Sequence, residues 1–282
     1  MPVKNFHKSA ENEKLDQRSK YLRGLILRAL KNSNKGHCGS SFSMLEIIRV
    51  LYDSIMKFDH KDPTFDARDR LVVGPGWAAL ALYSVLADKG FFKINELDKY
   101  VNNNALLGGC IETRVPGVEA TTGACGHGLP ISVGIALAQK IKQTPVKVFS
   151  IVGDGEHGEG SIWEAAISAS KNKLNNLCVI VDFNKIQCSG FFEDVSGFKN
   201  LVNKWESFGF VVKQVNGHNI NDLEKIFSSF PYSKTKPTVI ICHTIMSKGF
   251  HFAENNPYWH WVGKINNERL DQMEAAIASD KK

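Results

Sequence analysis

Two polar residues, Asp154 and Asn184, are the part of the sequence whose residue types and spacing best predict a chemical site. Each follows a short apolar run rich in β-branched residues, 146–152 and 177–181, and residues typical of a helix separate the two runs. The segment therefore predicts a β-α-β unit with both polar residues at the carboxyl ends of parallel strands. Together with a backbone carbonyl from the following turn, these side chains supply the oxygen ligands of a Mg²⁺ ion bound to a diphosphate.

The glycines around Asp154 also fit a second kind of site. Gly153, Gly155 and Gly158 match the Gly-x-Gly-x-x-Gly fingerprint of dinucleotide-binding proteins, although a lone match is weak. In such a site the pyrophosphate lies on bare backbone N–H groups, where the carboxylate of Asp154 repels it. A hard cation between the two anions removes this repulsion, so we favour a Mg²⁺-diphosphate site over a nicotinamide dinucleotide site.

The elements that must position these residues follow from the apolar patterns. Leu15 to Leu30 carries apolar residues at helical spacing, which predicts a first amphipathic helix that ends near 32–36. Ser43 and Glu46 have the spacing of a capping box, which predicts that Ser43 caps a second helix and Glu46 reaches back to its amide.

The rest of the chain alternates strand and helix patterns. Residues 102–119 are polar and aperiodic and predict a long functional loop. Apolar strands are predicted at 71–73, 210–215 and 238–241, and helices at 78–87, 201–205 and 222–227. This alternation predicts an α/β fold with a doubly wound parallel sheet flanked by helices and with ligands at the carboxyl ends of the strands.

Composition narrows the class of protein. The 282 residues, 43% of them hydrophobic, suit one large α/β domain. The net charge is +6, but the lysines are scattered among acidic residues, so we expect no nucleic-acid partner. No run approaches a membrane span or a signal peptide, so we expect no membrane association and a cytoplasmic location. The six cysteines show no metal-binding spacing, and we expect free buried thiols.

Several motifs resemble those of one family. Gly153-Asp154-Gly155 followed by Asn184 resembles the thiamine diphosphate motif, and Glu159-Gly160 with Trp163-Glu164-Ala165 resembles its transketolase version. Further matches lie along nearly the whole chain, at Gly36-His37, Arg68-Asp69-Arg70-Leu71-Val72, the stretch from Gly117 to Gly123, and the stretch from Glu254 to His260. The chain thus resembles the N-terminal subunit of a transketolase divided into two chains.

The resemblance implies thiamine diphosphate and Mg²⁺ as cofactors. It implies that 1–282 form one thiamine diphosphate- and Mg²⁺-binding domain with N-terminal helices. The metal ligands by resemblance are Asp154, Asn184 and the carbonyl of Ile186. The cofactor-binding residues are Gly123, Ala124, Cys125, Gly155, Asn184, His260 and Trp77, and the catalytic residues are His37, His260 and Glu159. Without the resemblance, Asp154 and Asn184 are also typical of turns, His37 and His260 of surface histidines, and Glu159 of a solvated helix charge.

Two positions depart from the family pattern. Trp77 stands where a histidine near the cofactor is usual, and Cys110 stands where a histidine near the terminal hydroxyl of the donor is usual. A site that recognises hydroxyl groups discriminates through paired polar groups, and here polar partners are missing. We therefore expect that ordinary ketose phosphates are not the preferred donor.

The resemblance implies two-carbon ketol transfer from a ketose or its phosphate to an aldehyde. The departures at Trp77 and Cys110 leave open a related enzyme that decarboxylates pyruvate or another 2-oxo acid and transfers the acyl unit. A catalytically silent subunit is a third interpretation. The pyrimidine-binding domain is absent from this sequence, so the resemblance implies a separate C-terminal subunit that supplies the pyrimidine-activating glutamate in an α2β2 assembly.

Overall fold

A computed structural model describes residues 5–197 and 200–279 and has a five-stranded parallel sheet at its centre. The order of the strands is β1, β2, β3, β7, β6, as predicted for a doubly wound sheet. The strands of this sheet are β1 Arg70–Val73, β2 Val148–Gly153, β3 Leu177–Phe183, β6 Val211–Asn216 and β7 Thr238–His243, and the short antiparallel pair β4 Ile186–Gln187 and β5 Gly190–Phe191 lies outside it.

Helices cover both faces of the sheet. The helices are α1 Phe6–Asn12, α2 Gln17–Ser33, α3 Cys38–Ser43, α4 Leu45–Val50, α5 Ala79–Asp88, α6 Gly128–Ile141, α7 Gly160–Lys171, α8 Phe192–Ser196, α9 Leu201–Ser207, α10 Ile220–Ser228 and α11 Asn267–Ala278. Side chains of β3 alternate between two hydrophobic clusters, because successive residues of a strand point to opposite faces. Cys178 and Ile180 share a cluster with α2, α4 and α5, whereas Val179 and Val181 share one with α6, α7 and α9.

The sheet register explains how the predicted β-α-β unit brings distant residues together. Gly153 at the end of β2 lies opposite Asp182 near the end of β3, and Asp182 lies opposite Cys242 of β7. The carboxyl ends of the three strands therefore form one edge, and the loops that follow them meet there. The predicted first helix corresponds to α2, and the predicted loop 102–119 contains neither helix nor strand.

The predicted capping box at Ser43 is wrong. Ser43 ends α3, and its hydroxyl donates to the carboxylate of Asp182 at 2.7 Å. Glu46 lies inside α4, fully buried, and accepts from the guanidinium of Arg23 at 2.5 Å. Buried charged and polar partners from distant elements therefore replace the local hydrogen bonds that the spacing predicts.

The expectation of buried thiols holds for half of the cysteines. All six are free, but Cys110, Cys125 and Cys188 are exposed, while Cys38, Cys178 and Cys242 are buried. The exposed three lie in loops, whereas Cys178 and Cys242 lie in strands. Within 5–197 and 200–279, no helix is both long enough and apolar enough to cross a membrane.

Candidate functional site

A cavity of about 370 Å³ lies at the carboxyl ends of β2 and β3. A second cavity, of about 340 Å³, lies beside Lys147 and Asn176, which precede these strands at the opposite edge of the sheet. The first cavity is the candidate site, because the predicted site residues meet there. Those that line it are His37, Trp77, Gly123, Cys125, Asp154, Gly155, Glu159, Asn184, Ile186 and His260, whereas Ala124 does not line it.

Asp154 and the turn after β3 form the floor of this cavity. Asp154 begins a 3-10 helix, Asp154–Gly158, and is only 3% exposed. Its Oδ2 accepts from the backbone N–H of Lys185 at 2.6 Å, and its Oδ1 accepts from Gly155 N–H at 2.7 Å. These bonds hold the loops after β2 and β3 together and bring the carboxylate to the turn that contains Asn184 and Ile186.

The amide of Asn184 has a defined orientation. Its Nδ2 donates to Ser43 Oγ and to Asp182 Oδ2, each at 3.2 Å, and its Oδ1 accepts from Ile186 N–H at 2.9 Å. Because a backbone N–H can only donate, the oxygen must face the turn, where it retains a free lone pair for a cation.

The electrostatics of this floor favour a cation. Burial, reinforced by the nearby charge of Asp182, raises the pKa of Asp154 well above its ordinary value. Burial also raises the pKa of Asp182, to about 6. In the described part of the chain, Asp154 forms no ion pair with Lys, Arg or His, so a divalent ion is the partner that stabilises its charged form.

The available donors fit Mg²⁺. In the described ranges no group of three or more His, Cys, Asp and Glu side chains could hold a metal ion, so an all-side-chain site of that kind is not present there. The Asp154 carboxylate, the Asn184 amide oxygen and the Ile186 carbonyl are hard oxygen donors, and Mg²⁺ binds such donors together with phosphate oxygens. The sequence prediction of these three residues is therefore consistent with the structure.

Glu156 is a buried site residue that the sequence analysis did not identify. Its Oε1 accepts from Gly126 N–H and its Oε2 from Gly153 N–H, both at 2.9 Å. Burial raises its pKa to about 7. Glu156 therefore fastens the loop before α6, which contains Gly123 and Cys125, to the end of β2. Its position inside the Gly153–Gly158 motif was the only signal in the sequence.

An aromatic ring of side chains surrounds His37 at the cavity. The ring centroid of His37 lies 6.4 Å from Trp77, 6.0 Å from His260 and 6.1 Å from Trp261. Burial, with a smaller effect of His260, lowers the pKa of His37 to about 4, and burial also lowers the pKa of His260. Both imidazoles are therefore neutral at pH 7 and can each donate and accept one hydrogen bond.

Two buried nitrogen atoms in this ring have no hydrogen-bond partner in the described part of the chain. They are Trp77 Nε1 and His260 Nδ1. Buried polar atoms are normally satisfied, so unpaired atoms that line a cavity indicate a site for a polar ligand. Cys110, the other departure from the family pattern, lies behind Gly123, with its Sγ 3.2 Å from where a Cβ on Gly123 would stand.

Comparisons with known proteins agree with this geometry. Residues 15–263 match the family model described as transketolase, thiamine diphosphate binding domain. One of the two chains of the apulose-4-phosphate transketolase of Phocaeicola vulgatus is 36% identical over 248 residues, covering 88% of each chain. The 6-deoxy-6-sulfo-D-fructose transketolase subunit SqwG of Clostridium sp. is 35% identical over 266 residues, covering 94% of this chain and 95% of the relative.

The fold is also that of solved transketolases. The transketolase of Campylobacter jejuni superposes with a TM-score of 0.85 at 27% identity, over 99% of this chain and 43% of the other. The chain therefore spans about two fifths of that longer protein, in contrast to its nearly full coverage of the two relatives named above. On the family match, the identities and the shared fold, this chain belongs to the transketolase family, with its thiamine diphosphate-binding domain.

Proposed function

We propose that the chain is the cofactor-binding subunit of a two-chain transketolase and takes part in two-carbon ketol transfer from a ketose to an aldehyde. The observation that carries the proposal is the set of buried oxygens from Asp154, Asn184 and Ile186 at one end of the cavity. The near-complete coverage of two relatives named as transketolase subunits supports it.

In this proposal, Asp154, Asn184 and the Ile186 carbonyl hold Mg²⁺, and the ion holds the diphosphate of thiamine diphosphate. Gly155 offers a backbone N–H at the start of a helical turn. The small residues Gly123, Ala124 and Cys125 allow the loop before α6 to approach the cofactor closely. When bound, the cofactor supplies the nucleophile and the electron sink for cleaving and forming the carbon–carbon bond next to a ketone.

The protein's own side chains orient the substrate and move protons. His37 and His260 are neutral and half-buried, so each can donate to a carbonyl or hydroxyl oxygen or accept a proton from it. The Trp77 indole N–H is an additional donor in the same ring. Glu159 is exposed at the edge of the cavity, and we propose that it contacts the partner chain or the substrate there.

The partner chain completes the site. We propose that it supplies the glutamate that activates the aminopyrimidine, and that two copies of each chain form an α2β2 assembly in the cytoplasm. The two relatives are named for substrates with a phosphate or a sulfo group. A ketose with an anionic end is therefore our first choice of donor, in place of the expectation drawn from Trp77 and Cys110.

The other two candidate functions have less support. Decarboxylating acyl transfer rests on Trp77 and Cys110 alone, and neither relative is named for that activity. A silent role is disfavoured because the predicted metal ligands are all retained and lie together on the cavity floor.

One assay separates the three. The chain reconstituted with its C-terminal partner chain, Mg²⁺ and thiamine diphosphate is supplied with a ketose phosphate and an aldehyde, or with pyruvate and the same aldehyde. We expect a longer ketose from the first mixture and no CO₂ from the second. CO₂ release that requires pyruvate establishes the acyl-transfer function instead, and full activity of a complex containing Asp154→Asn establishes the silent role.

A further inference from the structure

Gln187 has a side-chain nitrogen that is buried and has no hydrogen-bond partner in the described part of the chain, and the residue lines the cavity. It follows Ile186, whose carbonyl we place on the metal, but it belongs to none of the family-like motifs. We infer that Gln187 binds the diphosphate of the cofactor by donating an N–H to a phosphate oxygen; this inference rests on the proposed function.

The position of Gln187 is fixed by a short hairpin. Ile186 pairs with Phe191 and Gln187 pairs with Gly190 in the two-stranded sheet β4–β5. Lys185, just before this hairpin, has a left-handed backbone with φ of 67°. That turn carries the chain back across the end of β2, so that the Gln187 side chain extends over the 3-10 helix that begins at Asp154.

The side chain lies directly against Gly155. The Cγ, Cδ and Oε1 atoms of Gln187 lie 3.3, 3.4 and 3.6 Å from the position that a Cβ on Gly155 would occupy. The Gln187 amide therefore lies beside the backbone N–H that the proposal assigns to the diphosphate. Since its nitrogen is unpaired, it can join that N–H in binding the same group.

The charges of the cavity make such a donor necessary. Four carboxylates line it, those of Asp154, Glu156, Glu159 and Asp182, whereas no Lys or Arg is among the described residues that line it. The nearest lysine in sequence, Lys185, holds its Nζ 6.0 Å from the centre of the Phe183 ring. On this chain, Mg²⁺ and uncharged N–H donors must therefore hold the diphosphate.

The other unpaired nitrogens of the cavity do not replace Gln187 in this role. Trp77 Nε1 and His260 Nδ1 belong to side chains that pack around His37, in the aromatic ring of the cavity. Gln187 is the one of the three that contacts the Gly155 turn. This separation assigns the aromatic ring to the reacting end and Gln187 to the diphosphate end.

The test compares Gln187→Met with the wild-type chain, each in complex with the partner chain. Methionine keeps the length of the side chain and removes the N–H donor. Isothermal titration measures binding of thiamine diphosphate and of inorganic pyrophosphate, both with Mg²⁺. We expect both to weaken about tenfold to a hundredfold, the range for a hydrogen bond to a charged group. The exposed Gln272→Met serves as the matched control and should leave both affinities unchanged.

A metal-only measurement separates this role from damage to the neighbouring metal site. Mn²⁺ binding, followed by electron paramagnetic resonance without any phosphate, should be the same for Gln187→Met and wild type. Gln187→Glu, of the same shape but with no donor and an added charge, should weaken pyrophosphate binding further, which protects the test if one variant folds poorly.

The outcomes are distinct. Equal pyrophosphate affinity in wild type and Gln187→Met overturns the inference, and so does a loss of Mn²⁺ binding that matches the loss of pyrophosphate binding. Failure of the wild-type complex to bind Mg²⁺-thiamine diphosphate at all overturns the proposed function itself.

Discussion

Asp154 and Asp182 form a buried pair of like charges at the centre of the site. Burial and mutual repulsion raise the pKa of Asp154, so its charged form is unfavourable without a cation. Ser43 and Thr244 donate to Asp182 at 2.7 and 2.5 Å, which stabilises the Asp182 carboxylate but not Asp154. The chain thus places its largest unmet charge where the proposal puts Mg²⁺.

The first prediction concerns Asp154→Asn. The variant should lose the rise in melting temperature that Mg²⁺ and thiamine diphosphate give to wild type, because the strongest metal ligand is gone. Without ligands, the variant should melt at pH 8 no lower than wild type, since a buried unpaired charge is removed. Differential scanning fluorimetry with EDTA or Mg²⁺ measures both effects. Undiminished stabilisation of the variant by the cofactor argues against Asp154 as a ligand.

The second prediction concerns the pH dependence of stability at His157. This residue is fully buried, its Nδ1–H donates to the carbonyls of Gly153 and Asp154, and its Nε2 accepts from Trp205 Nε1. Burial lowers its pKa to about 4. As the pH falls from about 6.5 to 4, the unfolded chain takes up a proton that the folded chain does not, so the histidine loses its stabilising effect.

His157→Gln should therefore be less stable than wild type at pH 7.5, and the difference should narrow as the pH falls towards 4. The narrowing is at most about 3 kcal/mol in the free energy of unfolding, from the shift between the two pKa values. Urea denaturation at several pH values measures it. A difference that is the same at pH 7.5 and pH 4.5 contradicts the prediction.

At the scale of elements, the sequence predicts what is encoded locally. The runs that become β2 and β3 are continuous and β-branched because both faces of a parallel strand are buried, so the strands and the polar residues after them are visible without a structure. The capping box failed because Ser43 finds partners in Asp182 and Thr244, far away in the sequence. Glu156 and Gln187 were missed for the same reason, since only the folded loops show what they contact.

The third prediction tests a buried ion pair between α2 and α4. Arg23 and Glu46 are both fully buried, and Glu46 also accepts from His218 Nδ1 at 2.8 Å. Glu46→Gln leaves the guanidinium without its charge partner and should cost about 3–5 kcal/mol in the free energy of unfolding. The exposed pair Lys31–Glu274 provides the control, and Glu274→Gln should cost no more than about 1 kcal/mol. Similar costs for the two variants in urea denaturation contradict this account.

The fourth prediction concerns the contact between Gly76 and the loop before α6. A Cβ on Gly76 would lie 2.4 Å from the backbone of Thr122, so Gly76→Ala must displace this loop. We expect weaker binding of thiamine diphosphate, because Gly123 and Cys125 move with it. Gly134→Ala on α6 is the control, since a Cβ there meets nothing within 4 Å. Titration calorimetry should show at least about a tenfold loss for the first variant only.

At the scale of the whole molecule, the groups that the proposal assigns to the cofactor and the substrate share one open cavity. The oxygens for the metal, the N–H donors for the diphosphate and the two neutral histidines all lie at this cavity. Large apolar side chains are exposed on the surface, among them Tyr258 at 90%, Trp261 at 53% and Phe191 at 48%. Trp261 belongs to the aromatic ring, so a partner that covers it also closes the reacting end of the cavity.

The fifth prediction is that ketol transfer requires the partner chain in equal amount. The chain alone, with Mg²⁺ and thiamine diphosphate, should show no turnover, because the proposal places the glutamate that activates the aminopyrimidine on the partner. Titration of the C-terminal partner into a fixed amount of the chain should raise the rate until the two are equimolar, after which the rate stays constant. At that point light scattering should give a mass that contains two copies of this 31.4 kDa chain. Turnover by the isolated chain, or saturation far from equimolar amounts, contradicts the divided site, because activity of this chemistry needs both halves to close over one cofactor.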